Sequence, residues 1–265
     1  MCSKYAYHIY LLVYMMHIAH KVYSLGNYVG SFLFCSEYCL CCGKVCFGMP
    51  LCIDCRTLLK REAFLASFAR CKRCGKVLLS EQSVCMACRT ETILKDCDSV
   101  FPLCSYRLWK KNLVFEWKIH DRQILSEFFA DLLSEALGKL YSARHIPVIV
   151  PVPPRKGKIR NRGWDQVEAV CQWLHKKYGF TVLHLLKNCS SEQQKKQNAV
   201  ERLAAQHKFR PSRFFLNMKN HIDVPEEVVI IDDVITTGAT VNACAAVLKN
   251  SGIIKVNVLS LFIVD

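Results

Sequence analysis

The chain has 265 residues, with 36 Lys and Arg against 22 Asp and Glu, so its formal net charge is +14. Hydrophobic residues make up 52% of the composition, with only 11 Gly and 8 Pro, which excludes a disordered tail and a low-complexity or collagen-like chain. The length allows one large domain or two smaller ones, and the basic charge favours anionic partners such as phosphates, nucleic acid or acidic membrane surfaces.

Residues 1–34 are interpreted as an N-terminal extension whose role the sequence leaves open. It contains an apolar run from Tyr5 to Met16. A secretory signal or a membrane anchor is one interpretation. Against it, His8 interrupts the run, no small-x-small cleavage site follows, and the run is shorter than the about 20 residues that span a bilayer. The alternatives are a buried or partner-bound helix and an extension upstream of the domain. We expect no membrane partner and a cytoplasmic location.

Residues 35–105 are predicted to be a small cysteine-rich module, because 13 of the 17 cysteines lie between Cys35 and Cys104. Eight of these cysteines form four Cys-x-x-Cys pairs, separated by 9, 15 and 10 residues. Regular pairs of this kind predict metal ligation in a reducing compartment rather than a disulfide framework. The eight predicted ligands are Cys39, Cys42, Cys52, Cys55, Cys71, Cys74, Cys85 and Cys88.

Sets of four thiolates suit structural zinc and leave no open position for a substrate water. The unit Cys-x-x-Cys-Gly followed by Cys-x-x-Cys begins at Cys39 and again at Cys71. We therefore predict two zinc ions, one in each repeat, with Gly43 and Gly75 turning the backbone past the metal. An iron–sulfur cluster, an interleaved grouping of the pairs and the substitution of a surplus cysteine for one ligand stay open as alternatives.

Residues 106–265 are predicted to form an α/β domain, in which helices flank a parallel sheet. An amphipathic helix follows Asp121, since apolar pairs four residues apart run from Ile124–Leu125 to Leu140–Tyr141. Strand and helix patterns then alternate. The predicted strands are 147–152, 180–185, 228–231 and 256–263, and the predicted helices are 165–178 and 239–251.

A candidate ligand site follows the strand at 228–231. The adjacent acids Asp232 and Asp233 come first, and their four oxygen acceptors suit vicinal sugar hydroxyls. A hydroxyl-rich turn comes next, at a helix start where backbone N–H groups and the helix dipole favour a phosphate. Its residues are Thr236, Thr237, Gly238, Ala239 and Thr240. Neither a Walker loop nor a dinucleotide fingerprint fits this pattern.

These two acids and the turn resemble the phosphoribosyl pyrophosphate motif of type I phosphoribosyltransferases. The order of features over residues 35–265 resembles the ComF family of competence-associated, amidophosphoribosyltransferase-like proteins. After the four cysteine pairs come Phe115-Glu116-Trp117-Lys118, Pro151-Val152-Pro153, Arg162-Gly163-Trp164-Asp165-Gln166 and then the acid pair with its turn. The resemblance implies a type I phosphoribosyltransferase-like fold with an N-terminal double zinc ribbon.

The resemblance also implies roles for individual residues. Asp232 and Asp233 are expected to hold the ribose hydroxyls, and Thr236 to Thr240 the 5′-phosphate. Pro151, Val152 and Pro153 are expected beside the pyrophosphate, and Arg162 at the start of a mobile segment over the site. Mg²⁺ would bind together with phosphoribosyl pyrophosphate.

Two departures from the family pattern bear on these roles. Asp165 stands where the family usually has Asn, which replaces a potential donor with an anion. Between Gln193 and Phe209 the chain has Arg202 and Ala205, so the family's Asn three residues after Arg is absent, along with any acceptor-binding role of that Asn.

Two functions from different classes fit the sequence. The first is a pentosyltransferase that moves ribose 5-phosphate to an unidentified acceptor, without an identified general base. The second is a catalytically inactive module that senses a nucleotide and binds single-stranded DNA, with DNA-uptake proteins as partners. Five basic residues in 155–162, without an acid among them, would clamp either pyrophosphate or a polynucleotide.

Overall fold

The structure, a computed structural model, describes residues 36–64, 69–78, 82–90, 94–142, 145–155, 157, 163–189, 208–221 and 224–264. The chain divides into two compact units, the first of which ends at Thr57, whereas the second begins at Leu58. The N-terminal extension of residues 1–34 lies outside the described residues. The boundary predicted between 35–105 and 106–265 stays a prediction.

The first unit contains a short hairpin in which β1 (Ser36–Tyr38) pairs antiparallel with β2 (Val45–Phe47). The first Cys-x-x-Cys pair lies in the connection between these strands. The second pair lies at the start of helix α1 (Ile53–Phe64).

The second unit is built on a parallel sheet of four strands flanked by helices, which confirms the predicted fold class. Its elements in chain order are α2 (Met86–Thr90), β3 (Ser99–Ser105), α3 (Trp109–Lys118), α4 (Leu125–Leu140), β4 (Val148–Pro151), α5 (Gln166–Tyr178), β5 (Leu186–Asn188), β6 (Phe209–Pro211), α6 (Arg213–His221), β7 (Glu227–Ile235), α7 (Ala239–Asn250) and β8 (Lys255–Ile263). The strand order is β3, β8, β7, β4.

One predicted strand, 180–185, is wrong. Within this segment Val182 forms a single parallel bridge to Ile149 of β4. The Ile149 N–H donates to Thr181 O, and the Leu183 N–H donates to Ile149 O, both at 2.9 Å. The chain then leaves the sheet, and β5 pairs antiparallel with β6 instead.

The core of the second unit joins the sheet to the second cysteine repeat. Val228 and Ile230 of β7 pack in one buried cluster with Cys244 and Leu248 of α7. That same cluster contains Cys71, Cys74 and Cys85. The second repeat is therefore part of the interior on which β7 packs.

In the described ranges, none of the helices combines the length and the apolar character that crossing a bilayer demands.

Candidate functional site

The eight predicted cysteine ligands gather into two clusters, in the predicted sequential grouping. Cys39, Cys42, Cys52 and Cys55 have their sulfur atoms within 4.8 Å of one another. The sulfur atoms of Cys71, Cys74, Cys85 and Cys88 are equally close. Tetrahedral zinc, with Zn–S bonds of about 2.3 Å, separates its sulfur ligands by about 3.8 Å. Each cluster could therefore hold a metal ion.

The two repeats share the same local hydrogen bonds. In the first, the Gly43 N–H donates to Cys39 O at 2.9 Å, and the Cys52 N–H points to Cys39 Sγ at 3.4 Å. In the second, the Gly75 N–H donates to Cys71 O at 2.9 Å, and the Cys85 N–H points to Cys71 Sγ at 3.4 Å. The duplicated sequence unit therefore folds twice into one kind of thiolate turn.

Gly75 is required by both conformation and space. Its φ is +71°, a region that side chains rarely adopt. A Cβ atom at this position would lie 2.5 Å from Val100 O and 2.3 Å from Pro102 Cδ. The turn of the second repeat thus lies directly against strand β3.

The thiols of the second cluster differ in their affinity for protons. Burial raises the pKa of Cys71, but N–H groups of Cys74, Cys85 and Arg73 outweigh it and lower the pKa to about 6. Burial and the neighbouring thiols raise the pKa of Cys88 to about 11 and that of Cys74 still further. A divalent cation is therefore needed to hold Cys74 and Cys88 as thiolates, and its binding would release protons.

Cys41 is a surplus thiol that touches the first cluster. Burial raises its pKa, whereas a hydrogen bond with the Cys55 side chain lowers it. Cys41 is thus the surplus cysteine that could replace a ligand of the first cluster, as the sequence analysis left open.

The two predicted acids lie inside a strand rather than after it. β7 continues to Ile235 because its pairing with β8 continues, with Asp232 opposite Ser260. On its other side, β4 ends at Pro151, opposite Ile231. Asp232 and Asp233 therefore follow the last residue of β7 that β4 covers, at the carboxyl rim where α/β sheets bind ligands.

Lys118, to which no sequence pattern assigned a role, completes this rim. Its Nζ lies 2.7 Å from Asp233 Oδ2. Lys118 is the last residue of α3, and the preceding Trp117 is fully buried, with its Nε1 donating to Ser126 Oγ at 2.9 Å. The only sequence signal was its place in the Phe115–Lys118 segment that resembles the ComF family.

The hydroxyl-rich turn follows β7 directly and leads into α7. Thr236, Thr237 and Thr240 are exposed, and Thr237 Oγ1 accepts from the Ala239 N–H at 3.3 Å. Gly238 is buried with φ +85°, and a Cβ atom there would lie 2.7 Å from Leu94 Cδ2. Only glycine therefore lets the turn lie this close to the Leu94 segment.

The Pro151–Pro153 segment runs beside the acids. The Val152 N–H donates to Ile231 O at 3.0 Å, one residue before Asp232. Pro153 is half-buried and its carbonyl accepts from Asn188 Nδ2 at 3.4 Å. The segment predicted to lie beside the pyrophosphate is thus anchored to β7 at the start of the rim.

Asp165 caps helix α5. Its Oδ1 accepts from the N–H groups of Val167 and Glu168, both at 3.1 Å, and the side chain is buried. A cap needs only an acceptor oxygen, which Asp and Asn both supply. Asp165 therefore caps the helix as the family's Asn would.

Several predicted residues lie outside the described part of the chain. They are Arg162, Gln193, Arg202, Ala205, and Lys156, Lys158 and Arg160 of the basic segment. Arg155 is described and exposed, whereas Phe209 is buried in β6.

Two curated proteins resemble this chain over most of its length. The chain is 28% identical over 214 residues to Competence protein ComFC of Streptococcus pneumoniae, which covers 80% of this chain and 86% of that protein. It is 27% identical over 210 residues to Competence protein ComFC of Bacillus subtilis, which covers 76% of this chain and 79% of that protein.

These two likenesses support a relationship to the ComF family. Because the likeness to both ComF relatives spans more than three quarters of this chain, it is not confined to the acid pair and its turn. No family model matches the chain.

Proposed function

We propose that this chain is a ComF-family protein and that it binds phosphoribosyl pyrophosphate at the rim of β7. Asp232 and Asp233 would hold the ribose hydroxyls, and the turn from Thr236 to Thr240 would hold the 5′-phosphate. The observation that carries the proposal is the extension of β7 beyond the end of β4. It brings two carboxylates, Lys118 and an exposed hydroxyl turn to one open edge.

The reaction that fits this rim is phosphoribosyl transfer. The bond between ribose C1 and the pyrophosphate oxygen breaks, its electron pair leaves with pyrophosphate, and an acceptor donates the pair that forms the new bond. No protein nucleophile is needed, so the chain would act by positioning the sugar and neutralising charge. Lys118 would hold the Asp233 carboxylate in a fixed orientation.

Mg²⁺ suits this site because carboxylates and phosphate oxygens are the hard ligands that it prefers. Asp232 and Asp233 are half-buried, side by side, and open to the rim. When bound, Mg²⁺ would neutralise the charge of the departing pyrophosphate.

A role in competence is the biological context that we propose, since both relatives carry the name Competence protein ComFC. We assign zinc to the two cysteine clusters, and thiolate sets of this kind indicate a reducing compartment such as the cytoplasm.

Calorimetric titration with phosphoribosyl pyrophosphate and Mg²⁺ tests the proposal. We expect saturable binding that weakens at least about ten-fold in Asp233→Asn, because a charge-assisted hydrogen bond is lost. Glu226→Gln is the matched control, since Glu226 is exposed at the opposite end of β7. No binding by the folded, zinc-loaded chain would overturn the proposal.

Pyrophosphate release with candidate nucleobase and amine acceptors then separates the two functions. Turnover that is lost in Asp233→Asn supports the transferase. Ligand binding without turnover, together with single-stranded DNA affinity that falls as salt rises and survives Asp233→Asn, supports the sensing and DNA-binding module.

A further inference from the structure

A cavity of about 550 Å³ lies beside the phosphate turn. Ile235 and Ile263, at the carboxyl ends of β7 and β8, form part of its wall, and so do Thr236 and Thr237. It lies on the β8 side of β7, whereas the Pro151–Pro153 segment lies on the β4 side. The cavity therefore adjoins the turn on the side away from the expected pyrophosphate.

Three cations line this cavity: Arg73, Lys76 and Lys95. None of the lining residues in the described ranges is acidic. Two of the cations belong to the second cysteine repeat, where Arg73 also donates to Cys88 O at 2.7 Å. A tetrathiolate zinc site carries a charge of about −2, so Arg73 and Lys76 would also offset the negative charge of the metal-loaded cluster.

Lys95 comes from a different segment, which is fixed to the phosphate turn. Leu94, before it, packs against Gly238 so closely that a Cβ atom there would be 2.7 Å away. Asp96 follows Lys95 and makes two hydrogen bonds of 2.9 Å with the side chain of Asn242, near the start of α7. The Asp96 N–H donates to Asn242 Oδ1, and Asn242 Nδ2 donates to Asp96 Oδ2. Both neighbours of Lys95 thus hold its backbone against the residues expected to bind phosphate.

We propose that Lys95 binds the phosphate group that occupies the turn, assisted by Arg73 and Lys76 of the second cysteine repeat. The ligand class is a phosphate monoester such as the 5′-phosphate of a pentose, and the inference rests on the proposed function. Cations strengthen the binding of a dianionic phosphate beyond what hydroxyls and helix N–H groups supply, and the turn itself contains no cationic residue. The second repeat would then form one wall of the ligand site.

A reciprocal effect follows from this arrangement. If the cluster holds Arg73 and Lys76 at the phosphate, metal in the cluster strengthens phosphate binding. By linkage, bound phosphate must then stabilise the metal-loaded cluster to the same extent. Cys74 and Cys88 line the same cavity, so a bound ligand would also cover two of the metal ligands.

The first experiment measures ribose 5-phosphate and phosphoribosyl pyrophosphate affinity in Lys95→Ala. We expect both ligands to bind about ten-fold more weakly, with partial recovery in Lys95→Arg. Lys72→Ala is the matched control, because Lys72 is exposed in the same repeat and does not line the cavity. Zinc content and circular dichroism verify that each variant is folded.

The outcomes separate the inference from the proposed function. If the wild-type chain binds neither ligand, the proposed function fails and the inference fails with it. If the wild type binds both ligands and Lys95→Ala binds them as tightly as Lys72→Ala does, only the inference is overturned.

A second experiment measures the alkylation rate of each metal-ligating cysteine separately. Chelator and iodoacetamide are added with and without ribose 5-phosphate, and the alkylation of each cysteine is followed by mass spectrometry. We expect the ligand to slow alkylation of Cys88 at least about three-fold and to leave Cys55, in the first repeat, unchanged. Equal rates at Cys88 with and without ligand would contradict the inferred contact.

Discussion

Lys118 Nζ lies 2.7 Å from Asp233 Oδ2, and the two side chains are only 26% and 13% exposed. This ion pair joins the end of α3 to β7 at the ligand rim. Through this contact, a residue far upstream in the chain places a positive charge beside the acid pair.

We predict that Lys118→Met destabilises the second unit by about 1–3 kcal/mol. The substitution leaves the largely buried Asp233 carboxylate without its cation, and an uncompensated charge is costly in such a place. Denaturant unfolding measures the change. Lys255→Met is the control: it removes a 3.0 Å pair with Glu227, but Lys255 is 54% exposed and Glu227 keeps the hydrogen bond that it accepts from Asn257 Nδ2. Its effect should stay within about 1 kcal/mol, and equal losses in both variants would contradict the prediction.

Two glycine substitutions should change stability in opposite directions. Gly238→Ala forces a side chain into φ +85° and against Leu94, so we expect a loss of about 1–3 kcal/mol and weaker binding of ribose 5-phosphate. Gly138→Ala, in α4 with open space around it, should gain up to about 1 kcal/mol from helix propensity. Thermal unfolding and calorimetry compare the two. A stable, ligand-binding Gly238→Ala would show that the turn tolerates a side chain.

The metal content should be two zinc ions per chain. Elemental analysis of the purified protein at neutral pH tests this, and Cys71→Ser should remove one ion because it deletes a ligand of the second cluster. Lowering the pH should release zinc, since protons compete with the metal for the thiolates, and the pKa values of Cys74 and Cys88 in this cluster are raised. Iron and visible absorption in place of zinc would support the iron–sulfur alternative.

The Glu168–His184 pair should make stability depend on pH. His184 Nε2 lies 2.7 Å from Glu168 Oε2; this hydrogen bond lowers the pKa of Glu168 and raises that of His184. The contribution of the Glu168 carboxylate to the stability of the fold is lost as the pH falls through its lowered pKa. The contribution of the His184 imidazolium is lost as the pH rises through its raised pKa. The pair therefore stabilises the fold most between the ordinary values of 4.5 and 6.5.

His184→Gln should cost about 0.5 kcal/mol inside that window and less above it, because His184 is 59% exposed and solvent screens the pair. Urea unfolding at several pH values, compared with wild type, measures the difference. His145→Gln, at an exposed position outside this pair, should show no such window. A constant difference across pH would rule out the charge contribution.

Local sequence patterns predicted three of the described helices, α4, α5 and α7. Apolar pairs four residues apart predicted α4, and Asp165 and Gly179 bound α5 as cap residues, Gly179 with φ +73°. The predicted grouping of the cysteines likewise rested on a local repeat, and the structure brings together the same two sets of four. These features depend on residues close in sequence.

The sequence patterns did not predict features that depend on contacts between residues far apart in the chain. β3 contains Pro102, which counts against a strand, but β3 is an edge strand of the sheet, where proline is tolerated. β7 extends through the acids because β8 pairs with it as far as Ile263. Lys118 reaches Asp233 only after α3 has packed, so no pattern near the acids could have revealed it.

The shared interior of the second repeat and the sheet has a consequence for a cell short of zinc. Cys71, Cys74 and Cys85 pack with Val228 and Ile230, so metal starvation would loosen the packing directly beneath the strand that carries the two acids. On the proposed function, zinc supply would then limit how much of this protein can bind its sugar phosphate.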